Sequence, residues 1–344
     1  MKKKLVILTD RLGLNYSGGS IATCRIFEQM QDEFGEIIVI AREVGKHNFL
    51  NLKHLKYRQI LGALKHIRNL KKNDVIYYGD FYMAYYFILA GVPFYFTYHD
   101  NWPAQKRLSP INYIKSFFYT PVYRWIFRKA SALINVSHFT YRYNAAINKN
   151  NFIIRNGINT VVHKNMQKDI MPGQLVKIIM LGNIEERKFG LADSLFRTLQ
   201  AMEKPLPIEI HIYGNPQNAK IAKKFARYRF VKLMGFSSQI NFLPYDLFLS
   251  VSQMENLSIA ICEALANHTP VVAFDVGGLN EVVKNGKNGF LIKKFNICAM
   301  AATLEKIAQG FAQFQFAEDD FLEYDWKIAA KKYKNILTSQ SSQT

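Results

Sequence analysis

The chain has 344 residues, 49% of them hydrophobic, and a formal net charge of +19. This length exceeds what one core usually supports, and the apolar content suffices for packed cores, so we expect two globular domains rather than a disordered or disulfide-stapled protein. Cys24, Cys262 and Cys298 lie in apolar stretches without CxxC spacing, which predicts buried thiols in a reducing compartment rather than disulfides or zinc ligands.

The first half alternates short apolar strands with helical patterns. The predicted strands are "LVILT", "EIIVIA", "DVIYY", "PFYFTY", "ALINV" and "NFIIR". The helical patterns cover residues 21–30, 60–70, 81–90, 112–129 and 139–147. The apolar run after the basic start "MKKK" is too short for a signal peptide, so we expect a first strand there. Such βα repeats predict a buried parallel sheet.

Residues 75–98 are apolar enough to suggest a membrane span. Gly79 and Asp80, and then Gly91 to Pro93, divide this segment into pieces too short to cross a bilayer. A buried strand, helix and strand are therefore predicted instead.

The second half repeats the scheme after a polar connection near residues 156–175. Its predicted strands are "VKIIML", "IEIHIY", "FVKLM", "DLFLSV", "PVVAF" and "GFLI". We therefore predict two doubly wound domains, residues 1–165 and 166–320, in an α/β fold. The polar end of the chain, "SQSSQT", is expected to fray.

The positive charge is concentrated in the first half. Residues 1–168 contain 25 Lys and Arg against 9 Asp and Glu, a net charge of +16, whereas residues 169–344 contain 20 against 17, a net charge of +3. Such a field attracts nucleic acid, anionic lipid and phosphorylated ligands alike, so all three remain open on charge alone.

Two stretches have the character of ligand sites. Residues 17–20, "SGGS", begin a helix directly after the first strand, where backbone N–H groups favour a phosphate; a flexible turn is the equal alternative. Glu263 is the one charge in an otherwise apolar helix, and Glu255 precedes it by eight residues. Because a buried carboxylate needs a partner, we expect the pair to bind neighbouring hydroxyls of a sugar or ribose. The alternatives are a helix-terminal acid for Glu255 and a solvated charge for Glu263.

Glu255 and Glu263 in E-x7-E spacing, followed by "TPVVAFDVGGLNEVV" and "NGKNGFLI", resemble the donor-site signature of glycosyltransferase family 4, whose members are retaining enzymes of the GT-B fold. Further matches are "SGGS", "YHDNWP", "RNGIN", "MLGNIEERKFG" and "YDWKIAAKKYKNIL". The resemblance implies two Rossmann-like domains facing a central cleft, with a C-terminal helix at about residues 321–340 that crosses back to the first domain. Residues 42–72 match no motif of the family.

The resemblance also implies roles for single residues. Glu255 would contact hydroxyls of the donor sugar, and Glu263 the nucleotide ribose. His99 would face the reacting sugar, and Lys188 would bind the leaving diphosphate. Backbone N–H groups at the remaining expected donor-binding positions would hold sugar and diphosphate; these positions are Gly18, Gly19, Asn256, Leu257 and Ser258.

One position departs from the family pattern. Asn183 stands where the family usually has an arginine, while Lys188 occupies the expected lysine position with Arg187 beside it. Either Arg187 supplies the missing charge or the diphosphate clamp is weakened, because cations aimed at the leaving phosphate are the main electrostatic catalyst. We expect no metal and no cofactor, only a nucleotide-diphosphate sugar as donor, with a UDP-sugar preferred.

The sequence thus predicts a cytoplasmic, retaining hexosyl- or N-acetylhexosaminyl-transferase. Its acceptor would be a glycan, lipid-linked or protein-linked hydroxyl, in the manner of bacterial transferases that build capsule, exopolysaccharide or lipopolysaccharide. Two alternatives remain: a catalytically silent GT-B subunit that stabilises a partner, and a basic nucleic-acid-binding protein, for which no motif is present.

Residues 102–130 mix basic and aromatic side chains without any acid. This composition favours peripheral contact with an anionic membrane at its inner face, against the alternative of a core helix with solvated cations.

Overall fold

The computed structural model describes residues 2–56, 60–70, 74–159, 167–216, 218–237, 239–317 and 321–339. The chain forms two compact units: unit 1 is Met1–Gly157 with Glu323–Thr344, and unit 2 is Ile158–Leu322. The boundary predicted after residue 165 falls at residues 160–166, outside the described residues, and stays a prediction.

Unit 1 is built on seven parallel strands. Its strands are β1 (Lys4–Leu8), β2 (Arg11–Leu12), β3 (Glu36–Ala41), β4 (Glu43–Val44), β5 (Leu52–Lys56), β6 (Val75–Gly79), β7 (Tyr95–Tyr98), β8 (Ala132–Asn135) and β9 (Asn151–Ile153). Its helices before the linker are α1 (Gly18–Gln29), α2 (Ile60–Asn69), α3 (Tyr85–Ala90), α4 (Trp102–Gln105), α5 (Pro110–Lys129) and α6 (His138–Asn144). The sheet order is β5-β3-β1-β6-β7-β8-β9, and β2 pairs separately with β4.

Unit 2 has a six-stranded parallel sheet in the order β13-β12-β11-β14-β15-β16. Its strands are β10 (Gln167–Ile170), β11 (Val176–Leu181), β12 (Ile208–Tyr213), β13 (Val231–Gly235), β14 (Leu247–Ser250), β15 (Val271–Phe274), β16 (Gly289–Ile292) and β17 (Ala312–Gln315). Its helices are α7 (Glu186–Phe189), α8 (Ala192–Gln200), α9 (Ala219–Phe225), α10 (Ile259–Ala266) and α11 (Ile297–Gln309). Strands β10 and β17 form a separate antiparallel pair.

The strand predictions from apolar runs are confirmed at all twelve positions, because both faces of a parallel sheet are buried and leave an almost continuous apolar signature. The edge strand β5, "LKHLK", was missed, since its half-exposed side chains alternate with Lys53 and Lys56. The helix predicted at residues 81–90 begins instead as a 3-10 turn, Tyr82–Ala84, before α3.

The prediction of three buried cysteines is right for Cys24 and Cys262 and wrong for Cys298, which is exposed. Cys298 lies in the first turn of α11, turned away from the side on which Met300, Ala301 and Leu304 are buried. Its apolar neighbours in sequence therefore face the core while its thiol faces solvent.

The apolar segment 75–98 divides into β6, α3 and β7, as predicted from its glycines. Across the described ranges, no helix combines the length and the apolar character needed to cross a bilayer.

The last helix, α12 (Trp326–Ser339), belongs to unit 1 although it follows unit 2 in sequence. Tyr333 on α12 is fully buried, and its hydroxyl lies 2.9 Å from Thr97 Oγ1 on β7. Tyr95 on the same strand donates a hydrogen bond to the carbonyl of Leu337. The aromatic ring of Tyr333 also packs edge-on against Phe27 of α1, so α12 completes the core of unit 1.

We predict that Tyr333→Ala lowers the free energy of unfolding by about 3–5 kcal/mol, because it empties a fully buried aromatic site. Urea denaturation measures the loss. Lys331→Ala, on the exposed side of the same helix, is the control and should change stability by less than about 0.5 kcal/mol. Equal stabilities for the two variants would mean that α12 is not part of this core.

Candidate active site

The loop between β14 and α10 carries Glu255, which is only 8% exposed. Two hydrogen bonds attach this loop to the segment around α7. The backbone N–H of Gln253 donates to the carbonyl of Arg187 at 2.9 Å, and the side-chain amide of Gln253 donates to the carbonyl of Glu186 at 2.8 Å. Ser258 then starts α10, whose first N–H groups need partners from outside the helix.

The glycine pair after β15 supports the same loop from the other side. Gly277 has a φ of +63°, and a Cβ there would overlap the carbonyl oxygen of Glu255. The N–H of Gly278 donates to the carbonyl of Asn256 at 2.9 Å. The double glycine in the sequence therefore serves a close backbone approach that fixes the position of Glu255.

Lys188 lies next to Glu255. Its Nζ atom is 3.8 Å from Glu255 Oε1, and both side chains are largely buried. Gly182, with a φ of +145°, makes room for the lysine, since a Cβ there would lie 2.9 Å from Lys188 Cδ. At 3.8 Å the two charges attract each other without forming a hydrogen bond. The site therefore presents one cation and one carboxylate side by side at the carboxyl ends of β11 and β14, the edge where ligands of such sheets bind.

Arg187 is directed to another carboxylate. Its guanidinium donates to Glu185 Oε1 through Nη2 at 2.6 Å and Nε at 3.1 Å. This ion pair offsets the positive charge that Arg187 was expected to supply in place of an arginine at position 183. Asn183 itself is half-buried directly after Gly182.

Glu263 was expected to be a buried charge, and the structure corrects this. It is half-buried, together with Ile259 and Ala260, which lie on the same side of α10. Apolar residues on all sides of α10 suggested that the whole helix is buried, but the side that carries Glu263 is only partly covered by the rest of the protein. The N–H of Asn159 approaches Glu263 Oε1 at 3.4 Å.

In unit 1 the structure brings Gly19 and His99 together. Gly18 and Gly19 are the first residues of α1, and a Cβ on Gly19 would lie 3.2 Å from Cβ and Cγ of His99. Burial lowers the pKa of His99 to about 4, so its imidazole is neutral at neutral pH.

Sequence reasoning missed three aspartates that follow strands of unit 1. Asp80 is buried at the end of β6 and accepts a 2.5 Å hydrogen bond from Thr23. Burial, with a smaller contribution from the charges of Asp100 and Asp10, raises the pKa of Asp80 to about 7 against the hydrogen bonds from Thr23 and Thr9, which lower it. Tyr123 donates to Asp100, and Arg42 donates to Asp10 at 2.9 Å. The sequence did contain a signal for these aspartates: each one lies one or two positions after a predicted strand, at the edge of the sheet where ligands usually bind. In the described part of the chain, no cluster of His, Cys, Asp and Glu is arranged to hold a metal ion.

We predict that Gly277→Ala lowers the free energy of unfolding by at least about 2 kcal/mol, because the added Cβ overlaps Glu255 and the backbone is left-handed. Gly286→Ala is the matched control: its φ is +74°, and nothing lies within 4 Å of the added Cβ. It should cost only the backbone strain, about 1 kcal/mol. Thermal and urea unfolding of both variants compare them, and an equal loss would rule out the close approach as the reason for the glycine.

The comparisons with known proteins agree with this architecture. Residues 23–162 match the model of Glycosyltransferase Family 4, and residues 176–309 match that of Glycosyl transferases group 1. The chain is 29% identical over 152 residues to a D-inositol 3-phosphate glycosyltransferase of Rhodococcus erythropolis, covering 40% of this chain and 34% of the relative. It is 30% identical over 150 residues to a poly(ribitol-phosphate) alpha-N-acetylglucosaminyltransferase of Staphylococcus aureus, covering 40% of this chain and 30% of the relative.

The chain thus spans about a third of the length of these curated relatives. Among solved structures, HepE of Anabaena in complex with UDP-glucose matches with a TM-score of 0.65 at 16% identity, covering 98% of both chains. That similarity concerns the fold, which is GT-B with two Rossmann-like α/β units. The two family models match adjacent parts of the chain, so its first part is similar to the domain of Glycosyltransferase Family 4 and its second part to that of Glycosyl transferases group 1.

Proposed function

We propose that this protein is a retaining glycosyltransferase that moves a hexosyl or N-acetylhexosaminyl group from a nucleotide-diphosphate sugar to a hydroxyl acceptor. The observation that carries the proposal is the position of Lys188 beside Glu255, whose loop is held in place by Gly277. A cation beside a carboxylate suits a ligand that has both a phosphate and sugar hydroxyls.

The donor we propose is a UDP-sugar. A protein of the same fold binds UDP-glucose, and the relative from Staphylococcus aureus bears the name of an N-acetylglucosaminyltransferase. In this chain the diphosphate would lie against Lys188 and the N-terminus of α10, where Asn256, Leu257 and Ser258 precede the helix. Glu263, half-buried on α10, would bind the ribose.

The chemistry proposed for the site is electrostatic. As the bond between the anomeric carbon and the β-phosphate oxygen breaks, negative charge grows on the phosphate, and Lys188 stabilises it. The acceptor hydroxyl bonds to the anomeric carbon on the face that the phosphate leaves, which retains configuration, and its proton passes to the departing phosphate oxygen. Glu255 orients the sugar through hydroxyl hydrogen bonds. Neutral His99 offers the reacting sugar a hydrogen-bonding group without adding charge.

The acceptor and the cellular place complete the proposal. We propose a glycan, lipid-linked or protein-linked acceptor of surface polysaccharide or glycoconjugate synthesis, used in the cytoplasm at the inner face of the membrane. Support comes from the relative from Staphylococcus aureus, whose name specifies poly(ribitol-phosphate).

A thermal-shift series with UDP-, GDP- and ADP-sugars tests the donor. A ligand that binds the folded state stabilises it by RT ln(1 + [L]/Kd), about 2.7 kcal/mol at a hundredfold excess over Kd. We expect UDP-sugars to raise the unfolding temperature of the wild type and to lose that effect in Lys188→Ala. Lys177→Ala, an exposed lysine of the same unit, is the control and should keep the shift. A shift from GDP- or ADP-sugars alone would contradict the choice of nucleotide.

Sugar-transfer rates test the residue roles. Lys188→Ala should lower the rate by at least about tenfold, which corresponds to roughly 1.4 kcal/mol of transition-state stabilisation. Glu255→Ala and Glu263→Ala should weaken or abolish transfer while the unfolding temperature without ligand stays close to that of the wild type. Either glutamate variant with the wild-type rate would refute its assignment.

Arg187→Ala distinguishes two interpretations of Asn183. An unchanged rate would mean that Arg187 only pairs with Glu185, while a loss comparable to that of Lys188→Ala would mean that it acts on the donor. The Arg187–Glu185 pair favours a catalytically silent GT-B subunit. Arg187 is the nearest cation that could replace the arginine absent at position 183, and its guanidinium already binds Glu185. Turnover of the stabilising UDP-sugar, by transfer or by hydrolysis, would exclude that alternative.

A further inference from the structure

Helix α5 (Pro110–Lys129) has an unusual distribution of apolar side chains. On its inner side Tyr123, Ile126 and Phe127 are buried in the core of unit 1. On the opposite side large apolar side chains point to solvent, and we call them the outer face; they are Ile111, Ile114, Phe117, Phe118 and Trp125.

The outer face is strongly exposed. Ile114 is 69% exposed and Phe117 is 70% exposed. Ile111, Ile114, Phe118 and Trp125 follow the spacing of residues three, four and seven apart that lines one side of a helix. The inner side of α5 already packs into unit 1, so the outer face adds nothing to the stability of that unit. An exposed apolar face of this size is suited to contact with a partner surface that is itself apolar.

In the sequence from residue 101 to residue 168, which includes this helix, all charged residues are basic. No acidic residue occurs between Asp100 and Asp169, while eleven lysines and arginines do. On α5 itself Lys115, Arg124, Arg128 and Lys129 are exposed. Lys115 is adjacent to Ile114 in sequence, and Arg124 is adjacent to Trp125, so the cations border the apolar residues.

We propose that the outer face of α5 binds an anionic lipid bilayer, with the helix parallel to the membrane plane. The apolar residues would enter the boundary between headgroups and acyl chains to a depth of about 5–10 Å, and the bordering cations would contact anionic headgroups. Trp125 and Tyr113, which is 54% exposed, are residue types that favour this interface.

The combination selects a bilayer over other occupants. Nucleic acid matches the cations but has no apolar phase for Ile114 and Phe117. A second copy of the chain would bring the same cations face to face around the apolar residues, which repels. An anionic bilayer satisfies both features of the surface at once.

This inference rests on the proposed function in one respect: membrane binding would bring the transferase to an acceptor that lies at the membrane. Vesicle binding needs neither donor nor acceptor, so its failure and a failure of sugar transfer are separate results.

The full chain carries its own probe for the test. Of its three tryptophans, Trp102 and Trp326 are 8% exposed, whereas Trp125 is 37% exposed. On adding phosphatidylglycerol vesicles we expect a blue shift of tryptophan emission and quenching by brominated acyl chains. Trp125→Phe should abolish both while still cosedimenting with the vesicles. Quenching that persists in Trp125→Phe would place the contact elsewhere.

Two matched pairs of variants separate the apolar and the charge contributions in cosedimentation. Ile114→Ser with Phe117→Ser should lower vesicle affinity at least about tenfold, since each buried CH₂ group contributes about 0.8 kcal/mol. Its control, Leu243→Ser with Phe311→Ser, removes two apolar residues of unit 2 that are 62% and 57% exposed, and it should bind as the wild type does.

For the charges, Lys115→Glu, Arg124→Glu and Arg128→Glu together should lower affinity on the order of 100-fold, because each basic residue contributes about fivefold. The control triple, Lys220→Glu, Lys223→Glu and Lys224→Glu on α9, makes the same change of net charge on unit 2 and should have little effect. Binding should also weaken between 50 mM and 500 mM salt, since salt screens surface charges.

The proposal is overturned by equal binding to phosphatidylcholine and phosphatidylglycerol vesicles, or by binding to neither. It is also overturned if the α5 variants and their unit 2 controls lose affinity to the same extent. A concentration-dependent dimer that Ile114→Ser with Phe117→Ser dissociates, without any vesicle binding, would assign the outer face to a second copy instead.

Discussion

The close approach of two backbones at Gly277 and Glu255 is the constraint on which the candidate site of unit 2 depends. A parallel sheet brings the loops after its strands to one edge, but it does not by itself fix a side chain within such a loop. Here the loop after β14 is held on one side by the glycine pair after β15 and on the other by Gln253, which bonds to the backbone around α7. Glu255 and Lys188 are thereby placed beside each other before any ligand arrives, and preorganised charges of this kind need no rearrangement during reaction.

Unit 1 uses the same edge of its sheet differently. Its strand ends carry Asp80, which burial keeps partly protonated near neutral pH, and His99, which burial keeps neutral. Both shifts have the same largest cause, the cost of charging a group away from water. The corresponding edge of unit 2 instead carries Lys188 beside Glu255, with 3.8 Å between Nζ and Oε1. The two units thus differ in electrostatic character although their sheets are alike.

Helix α5 shows that one element can serve two environments. Its inner side follows the rule for a packed helix, and its outer face carries the apolar residues that such a helix normally lacks. Part of the positive charge of the first half of the sequence lies on α5, where exposed cations are next to exposed apolar residues.

The sequence by itself determined the two α/β units and the twelve core strands, since buried parallel strands leave a local signal of apolar residues. The E-x7-E spacing named Glu255 and Glu263 as candidate site residues, and their roles stay a prediction. The sequence could not reveal which apolar side of a helix is covered, so the exposure of Cys298, the partial exposure of Glu263 and the outer face of α5 were decided by tertiary packing. Nor could it pair Arg187 with Glu185 rather than with a ligand, or place Asp80 in the core. Burial depends on residues distant in sequence, and only the folded chain brings those residues together. The Arg187–Glu185 pair joins residues two positions apart, and it depends on the local backbone conformation that directs both side chains toward each other.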